Sequence, residues 1–251
     1  MNIIGIVGGV GPYAGLDLTL KIFDQTLAAS DQEHLPVALL SLPQNILDRT
    51  RYLMGEADIN PAYAVADIIE KLESIGAHVI GIPCNTMHAP GIFNMIMQQL
   101  EERGSKVKVI HMIDEVVKFI GNHHPDMQKV GILSTTGTWK SGIYSRSLRN
   151  RGYKPIIPDS CMQEQIHRAV YDPHHGIKAQ SNPVSIQSKN TLVKGLRSLK
   201  KKGAQGIILG CTEISFALNY DKLDDIPLFD ATKILARSLI ACTDPDKLKS
   251  L

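Results

Sequence analysis

The chain has 251 residues, 43% of them hydrophobic and 21% charged, with 27 Lys+Arg against 25 Asp+Glu for a formal net charge of +2. This composition excludes a disordered or fibrous chain, and the balanced charge argues against a nucleic-acid or membrane surface. The length suits one large domain or two small ones, with a core big enough to fold without disulfides or metal.

Ile3–Val7 is a short apolar run that reads as a buried strand, and Gly8-Gly9-Val10-Gly11-Pro12 follows as a turn. Pro12 suits a first helical position. Leu16, Leu20, Phe23 and Leu27 recur every three or four residues and predict the apolar face of a helix. Val37–Leu42 reads as a strand. Asn60-Pro61 opens the next helix as cap and first residue, Val65, Ile68, Ile69, Leu72 and Ile75 form its stripe, and Gly76 closes it. Val79–Ile82 and Val107–Ile110 read as further strands. Strand–helix alternation at this spacing predicts parallel sheets of the α/β class.

No apolar run approaches the roughly 20 residues needed to span a bilayer. The start, MNIIGIVGGVGP, carries no positive stretch ahead of its apolar run, so it reads as a strand and turn rather than a signal peptide. The expectation is a cytoplasmic chain with no membrane partner. Cys84, Cys161, Cys211 and Cys242 are then expected to be reduced. None forms a C-x-x-C pair and no histidine has metal-ligand spacing, so no metal site is expected. His123-His124 and His174-His175 read as loop residues, and Lys200-Lys201-Lys202 as the solvated end of a helix.

The most informative feature is an internal duplication. IGAHVIGIPCNT (75–86) lies over KGAQGIILGCTE (202–213) at an offset of 127, placing Gly76 on Gly203, Ala77 on Ala204, Ile80 on Ile207 and Cys84 on Cys211. In IIGIVGGVG (3–11), residues 4–11 lie over VGILSTTG (130–137) at an offset of 126, with Gly5 on Gly131 and Gly11 on Gly137. A looser match at 119 sets VIHMI over LFDAT, and His111 opposite Asp230. Three matches in the same order predict two similar open parallel-sheet α/β domains related by a pseudo-twofold. Residues 1–114 plus 226–251 would form the first and 115–225 the second. The final helix, with Ile234, Leu235, Ser238 and Leu239 on one face, would pack on the first half, and Pro173–Pro183 would be a loop.

Ligands of open parallel sheets sit beyond the carboxyl ends of strands. Cys84 and Cys211 both stand at such ends, and the duplication would face the two thiols across a cleft between the domains. A single cysteine there is ordinarily a small core residue; two in register point to chemistry. Asn85-Thr86 and Thr212-Glu213 open the following helices, where N–H groups and hydroxyls accept a carboxylate, and Thr135 occupies the equivalent turn of the second half. The same residue types also serve as plain helix caps. The glycine turn at 8–11 matches neither nucleotide fingerprint. Cys161 and Cys242 lack repeat context and read as structural.

GGVGPYAG at 8–15, IPCNTMH at 82–88 and LGCTE at 209–213 resemble the aspartate/glutamate racemase family over essentially the whole chain. The resemblance implies a two-domain α/β fold, commonly a homodimer. It also implies a cofactor-independent amino-acid racemase whose catalytic residues are Cys84 and Cys211. PQNILDRT at 43–50 and GIK at 176–178 are similar to the aspartate branch. On that branch Arg49 and Lys178 would hold the side-chain carboxylate of an acidic amino acid, with Asp48 orienting Arg49. Val10 and Thr50 would line the same site. Gln180 stands where the branch more usually has Gly. Asn85, Thr86, Thr135 and Thr212 would stabilise the carbanion, Glu213 would take the ammonium group or tune Cys211, and His111 would tune Cys84. The alternatives are a broad-specificity aspartate/glutamate racemase, a hydantoin racemase, a maleate isomerase, and a non-catalytic acidic amino-acid binder.

Overall fold

The computed structural model describes residues 2–251. It divides into two compact units, residues up to Glu115 together with Thr232–Leu251, and Val116–Ala231.

The first unit contains β1 (Ile3–Gly8), α1 (Pro12–Gln25), β2 (Val37–Ser41), α2 (Arg49–Leu53), α3 (Ala62–Ser74), β3 (Ala77–Gly81), α4 (Pro90–Glu102) and β4 (Lys108–Val109). Helix α5 (Met112–His123) crosses the boundary between the units. The second unit continues with β5 (Lys129–Leu133), α6 (Thr136–Ser141), α7 (Ile143–Asn150), β6 (Lys154–Ile156), α8 (Ser160–Tyr171) and α9 (Ile186–Lys201). After these come β7 (Gly206–Leu209), α10 (Thr212–Ala217), β8 (Lys222–Leu223), β9 (Ile226–Asp230) and α11 (Ala231–Thr243), which leads back into the first unit.

The sheet orders are β2-β1-β3-β4 and β6-β5-β7-β9-β8. Matched by position, the first four strands of each sheet are the same in order, and all those pairings are parallel. Strand register reproduces the sequence duplication residue by residue. Gly5 pairs with Ile80 and Gly131 with Ile207. Val109 and Leu228 sit beside those same two isoleucines, so His111 and Asp230 stand at equivalent places. A Cβ on Gly5 would lie 2.6 Å from Ile80 Cδ1 and 2.9 Å from Ala77 Cβ, and one on Gly131 2.9 Å from Ile207 Cγ1 and 3.1 Å from Ala204 Cβ. The repeated glycine is therefore a packing requirement met twice, because the neighbouring strand fills the space a side chain would need.

Four expectations differ from the structure. Residues 226–231 lie in the second unit, because β9 completes its sheet beside β7 instead of joining the first domain. That sheet also carries one antiparallel edge strand, β8, turned by Asp224 and Asp225 at positive φ. Helix α1 turns a different face inward. Leu16 and Leu20 are 51% and 61% exposed, Leu27 lies exposed beyond the helix, and Ala14, Leu18 and Ile22 are buried instead. Gly15 allows this approach, since a Cβ there would meet Leu39 Cδ1 at 2.9 Å. Ile75 is exposed at the C-cap of α3. Smaller differences follow at single residues: His123 ends α5, and Cys161 is exposed on α8.

The start of α3 lies one residue later than expected, with Pro61 rather than Asn60 as N-cap; Asn60 Oδ1 accepts the Ala62 N–H at 3.0 Å just ahead of the helix, and Gly76 ends the helix region with φ 96°. Pro173–Pro183 carries no helix or strand. The α11 face predicted from sequence packs on the first sheet, with Leu239 lying where a side chain on Gly81 of β3 would otherwise go. Each unit has its own apolar core. Ile68, Leu72, Ile80, Ile92 and Ile96 centre the first, and Ile166, Leu192, Leu196, Ile207 and Leu209 the second. Among the described residues no helix is long and apolar enough to cross a membrane.

Candidate functional site

Cys84 and Cys211 have the same backbone role. Cys84 follows β3 as N-cap of a short 3-10 turn, Asn85–His88, with φ −154° and ψ 108°. Cys211 follows β7 as N-cap of α10, with φ −152° and ψ 133°. Both thiols are free, and their residues are 7% and 8% exposed. At an N-cap the chain is extended and the next N–H groups have no partner within the helix itself, so each cysteine stands where backbone donors are available.

In the second unit a charged network surrounds the thiol. Cys211 Sγ donates to Glu213 Oε2 at 3.0 Å, and Thr212 Oγ1 donates to the same oxygen at 3.2 Å. Glu213 Oε1 is ion-paired with Lys178 Nζ. Burial, the largest single influence, raises the Glu213 carboxyl, but the charge and hydrogen bond of Lys178, together with hydrogen bonds from the Cys211 thiol and a backbone N–H, hold it at about 2. Burial first, and the Glu213 charge second, push the Cys211 thiol well above its ordinary range, with Lys178 only partly opposing them. Cys211 is therefore a protonated thiol at neutral pH, hydrogen-bonded to a carboxylate.

Lys178 arrives on the loop after α8. Its N–H bonds to the Val170 carbonyl at 3.0 Å, and Ile177 N–H to Ala169 at 3.0 Å. The His175 carbonyl accepts from Ser185 Oγ at 2.7 Å and Ser188 Oγ at 2.8 Å. A Cβ on Gly176 would stand 2.5 Å from the backbone of Asp172. The loop is thus fixed against α8, and Lys178 is presented in place, its Nζ 5.3 Å from the centre of the Tyr171 ring. Thr135 is buried as N-cap of α6 at the end of β5, the strand next to β7.

In the first unit Arg49 opens α2 and is buried. Its Nη2 donates to the Val10 carbonyl at 3.3 Å and its Nη1 to Leu47 at 3.4 Å, which ties the glycine turn after β1 to α2. Asp48 is the N-cap of α2, its carboxylate accepting the Arg51 N–H at 2.9 Å. Thr50 lies in that helix, and its carbonyl accepts the Met54 N–H at 2.9 Å. Asn85 and Thr86 are buried in the turn after Cys84. His111 Nδ1 is 3.0 Å from Asp114 Oδ2, and its ring meets His88 and Phe93 at 4.9 and 4.6 Å between centroids.

Two buried residues stand out beyond those the sequence singles out. His88, inside the IPCNTMH motif, is fully buried, and burial and the nearby His111 lower its pKa to about 3. Tyr144 is fully buried, and burial, then the charges of Asp230 and Cys211, raise its pKa well above the ordinary range. The signal for His88 is its place in the IPCNTMH motif. Among the described residues no group of three or more His, Cys, Asp or Glu is placed to hold a metal ion.

The family model described as Asp/Glu/Hydantoin racemase matches residues 7–239. The broad specificity amino-acid racemase RacX of Bacillus subtilis is 28% identical over 245 residues, 95% of this chain and 96% of that protein. The structure is similar to Picrophilus torridus aspartate racemase, with TM-score 0.81 and 28% identity over 97% of this chain and 94% of that one. It also shares its fold with an aspartate racemase homologue from Pyrococcus horikoshii, with TM-score 0.71 and 22% identity over 97% and 99% of the two chains.

Proposed function

Because the chain belongs to the Asp/Glu/hydantoin racemase family, we propose that it racemises an acidic amino acid, aspartate first, by cofactor-independent proton transfer at Cα between Cys84 and Cys211. The observation that carries this reading is the paired N-cap geometry of the two cysteines at duplicated strand ends. Racemisation needs a base on one face of Cα and an acid on the other, and two identical side chains exchange those roles when the substrate's handedness changes. The Cys84 thiolate takes the α-proton and becomes a thiol. The Cys211 thiol gives its proton to the opposite face and becomes a thiolate. The protonated state of Cys211, hydrogen-bonded to Glu213, suits it to the acid role in this direction. Buried Asn85, Thr86, Thr135 and Thr212 supply donors for the developing charge on the α-carboxylate.

Glu213 already engages Cys211, Thr212 and Lys178, which favours tuning of the thiol over capture of the ammonium group. Glu213→Gln removes the negative charge that helps to hold the proton on Cys211. The thiol pKa falls, the acid form is lost at lower pH, and the alkaline limb of the kcat profile moves toward neutral. An unmoved limb would remove Glu213 from this role.

Arg49 is proposed to grip the side-chain carboxylate. Charge-assisted hydrogen bonds are worth about 1.5–3 kcal/mol, so Arg49→Ala is expected to lower kcat/KM for aspartate by roughly 10- to 150-fold more than for alanine, any loss common to both coming from the broken tie to the Val10 and Leu47 carbonyls. Equal losses on both substrates would exclude Arg49 from the side-chain site.

One observation favours a broad-specificity racemase as the second reading. The Lys178 charge is already matched by Glu213, which leaves Arg49 as the main anchor for an acidic side chain. A cytoplasmic homodimer belongs to the same proposal. Circular dichroism of L-aspartate over time, without added cofactor in reducing buffer, tests the function. Decay to zero is expected. A flat trace would overturn the aspartate assignment and pass the test to glutamate, maleate and alanine, with stable ligand binding marking a non-catalytic protein.

A further inference from the structure

We propose that His88 is a positioning residue for Cys84, supplying the tether that Pro83 denies to the first half of the chain. In the second unit the residue before Cys211 is Gly210, and its N–H donates to the Leu133 carbonyl of β5 at 2.8 Å. That bond fastens the catalytic turn to the neighbouring strand. At the offset of 127 its counterpart in the first half is Pro83, which has no N–H to give. The equivalent bond to β1 is chemically impossible.

The first unit holds its cysteine another way. The Cys84 N–H turns back onto the Ile82 carbonyl at 2.8 Å, a three-residue turn centred on Pro83, whose fixed φ suits it. The same carbonyl is met by His88 Nε2 at 3.2 Å. The Met87 N–H donates to the Cys84 carbonyl at 3.1 Å inside this closed segment. The chain therefore forms a ring from Ile82 to His88 with Cys84 within it. The imidazole is 2% exposed and is packed by Phe93 at 5.2 Å and His111 at 4.9 Å between ring centroids. Burial keeps it neutral, so it carries one ring proton. The carbonyl of Ile82 is an acceptor, which assigns that proton to Nε2. His88 Nδ1 is then a buried acceptor without a hydrogen-bond partner among the described residues. An apolar side chain would fill the pocket without that orphan, so the histidine is accounted for by the bond it donates. Ser215 occupies the equivalent position in the second half, where Gly210 already provides the tether.

This inference rests on the two-cysteine reading, and its test separates the two. His88→Leu removes the donor, whereas His88→Gln places an amide NH2 close to where Nε2 stands. Iodoacetamide labelling of the full-length protein, followed cysteine by cysteine by peptide mass spectrometry, reads the turn directly. In His88→Leu the labelling rate of Cys84 is expected to rise about fivefold, the equivalent of one net hydrogen bond, with Cys211 within about twofold of wild type. His88→Gln is expected to restore the wild-type rate. On L-aspartate, His88→Leu is expected to lower kcat by about 10- to 100-fold through misplacement of the thiol, with KM nearly unchanged and with rescue by His88→Gln. Should His88→Leu fail to accumulate, His88→Asn takes its place, since its amide is too short to reach Ile82. Equal Cys84 labelling in the leucine (or asparagine) and glutamine variants would overturn the proposal, as would an equal change at Cys211. An inactive wild type would sink the racemase reading, while the labelling would still decide the role of His88.

Discussion

Cys84→Ala and Cys211→Ala are each expected to lower racemisation of L-aspartate by about 10²- to 10⁴-fold, the range for loss of a positioned acid or base. Neither loss should be rescued by raising substrate, because the missing step is proton transfer rather than binding. The two variants should differ in what they retain. With one thiol left, one enantiomer still meets a base, so slow exchange of its α-proton with deuterated solvent persists without inversion. Cys84→Ala should retain exchange on one enantiomer and Cys211→Ala on the other. Proton NMR of L- and D-aspartate in deuterium oxide measures this directly. Full racemase activity in either variant would refute the two-base assignment. Identical enantiomer preference in the two variants would mean that the thiols do not serve opposite faces of Cα.

Acid should destabilise the protein through His88. Its pKa is about 3 in the folded chain against an ordinary 6.5, chiefly because burial disfavours the imidazolium and secondarily because of His111. Between those values the unfolded chain binds a proton that the folded chain does not, so stability falls as pH drops below 6.5. At pH 4.5 the loss from this one group is on the order of 3 kcal/mol. Glutamine at position 88 does not titrate, and every other ionisable group is common to both proteins. Between pH 7.5 and pH 4.5 the urea midpoint of wild type should therefore fall further than that of His88→Gln. Parallel shifts in the two proteins would show that His88 does not carry this acid sensitivity.

The cysteine pair is legible in the sequence because the duplication is written in local residues. A glycine that must clear a neighbouring strand, an alanine beneath it and a cysteine at the strand's end recur together, and the register of β1 with β3 and of β5 with β7 shows why. The loose match of His111 to Asp230 rested on little in the letters, yet β4 and β9 place both residues at the same position beside their sheets. Helix α1 shows the limit of this kind of inference. Its sequence offers two apolar stripes, one through Leu16 and Leu20 and one through Ala14, Leu18 and Ile22. Periodicity favours the bulkier stripe. The sheet takes the other, because Gly15 lets that side come close to Leu39. Residues 226–231 join the second unit against expectation for a related reason, since a five-residue strand carries no mark of which sheet it will join.

Sequence by itself therefore determined the α/β class, the repeated strand–helix unit and the two cysteines at equivalent strand ends, because each follows from short-range periodicity and from residues that repeat. Only the tertiary structure decided what surrounds those cysteines. Lys178 meets Glu213 from 35 residues away, Arg49 reaches the Val10 carbonyl across 39, and the His88 ring closes on Ile82 in place of a bond that proline cannot make. Such partners are chosen by where buried charges and hydrogen-bonding groups can be satisfied once the chain is compact, and no local pattern encodes that choice.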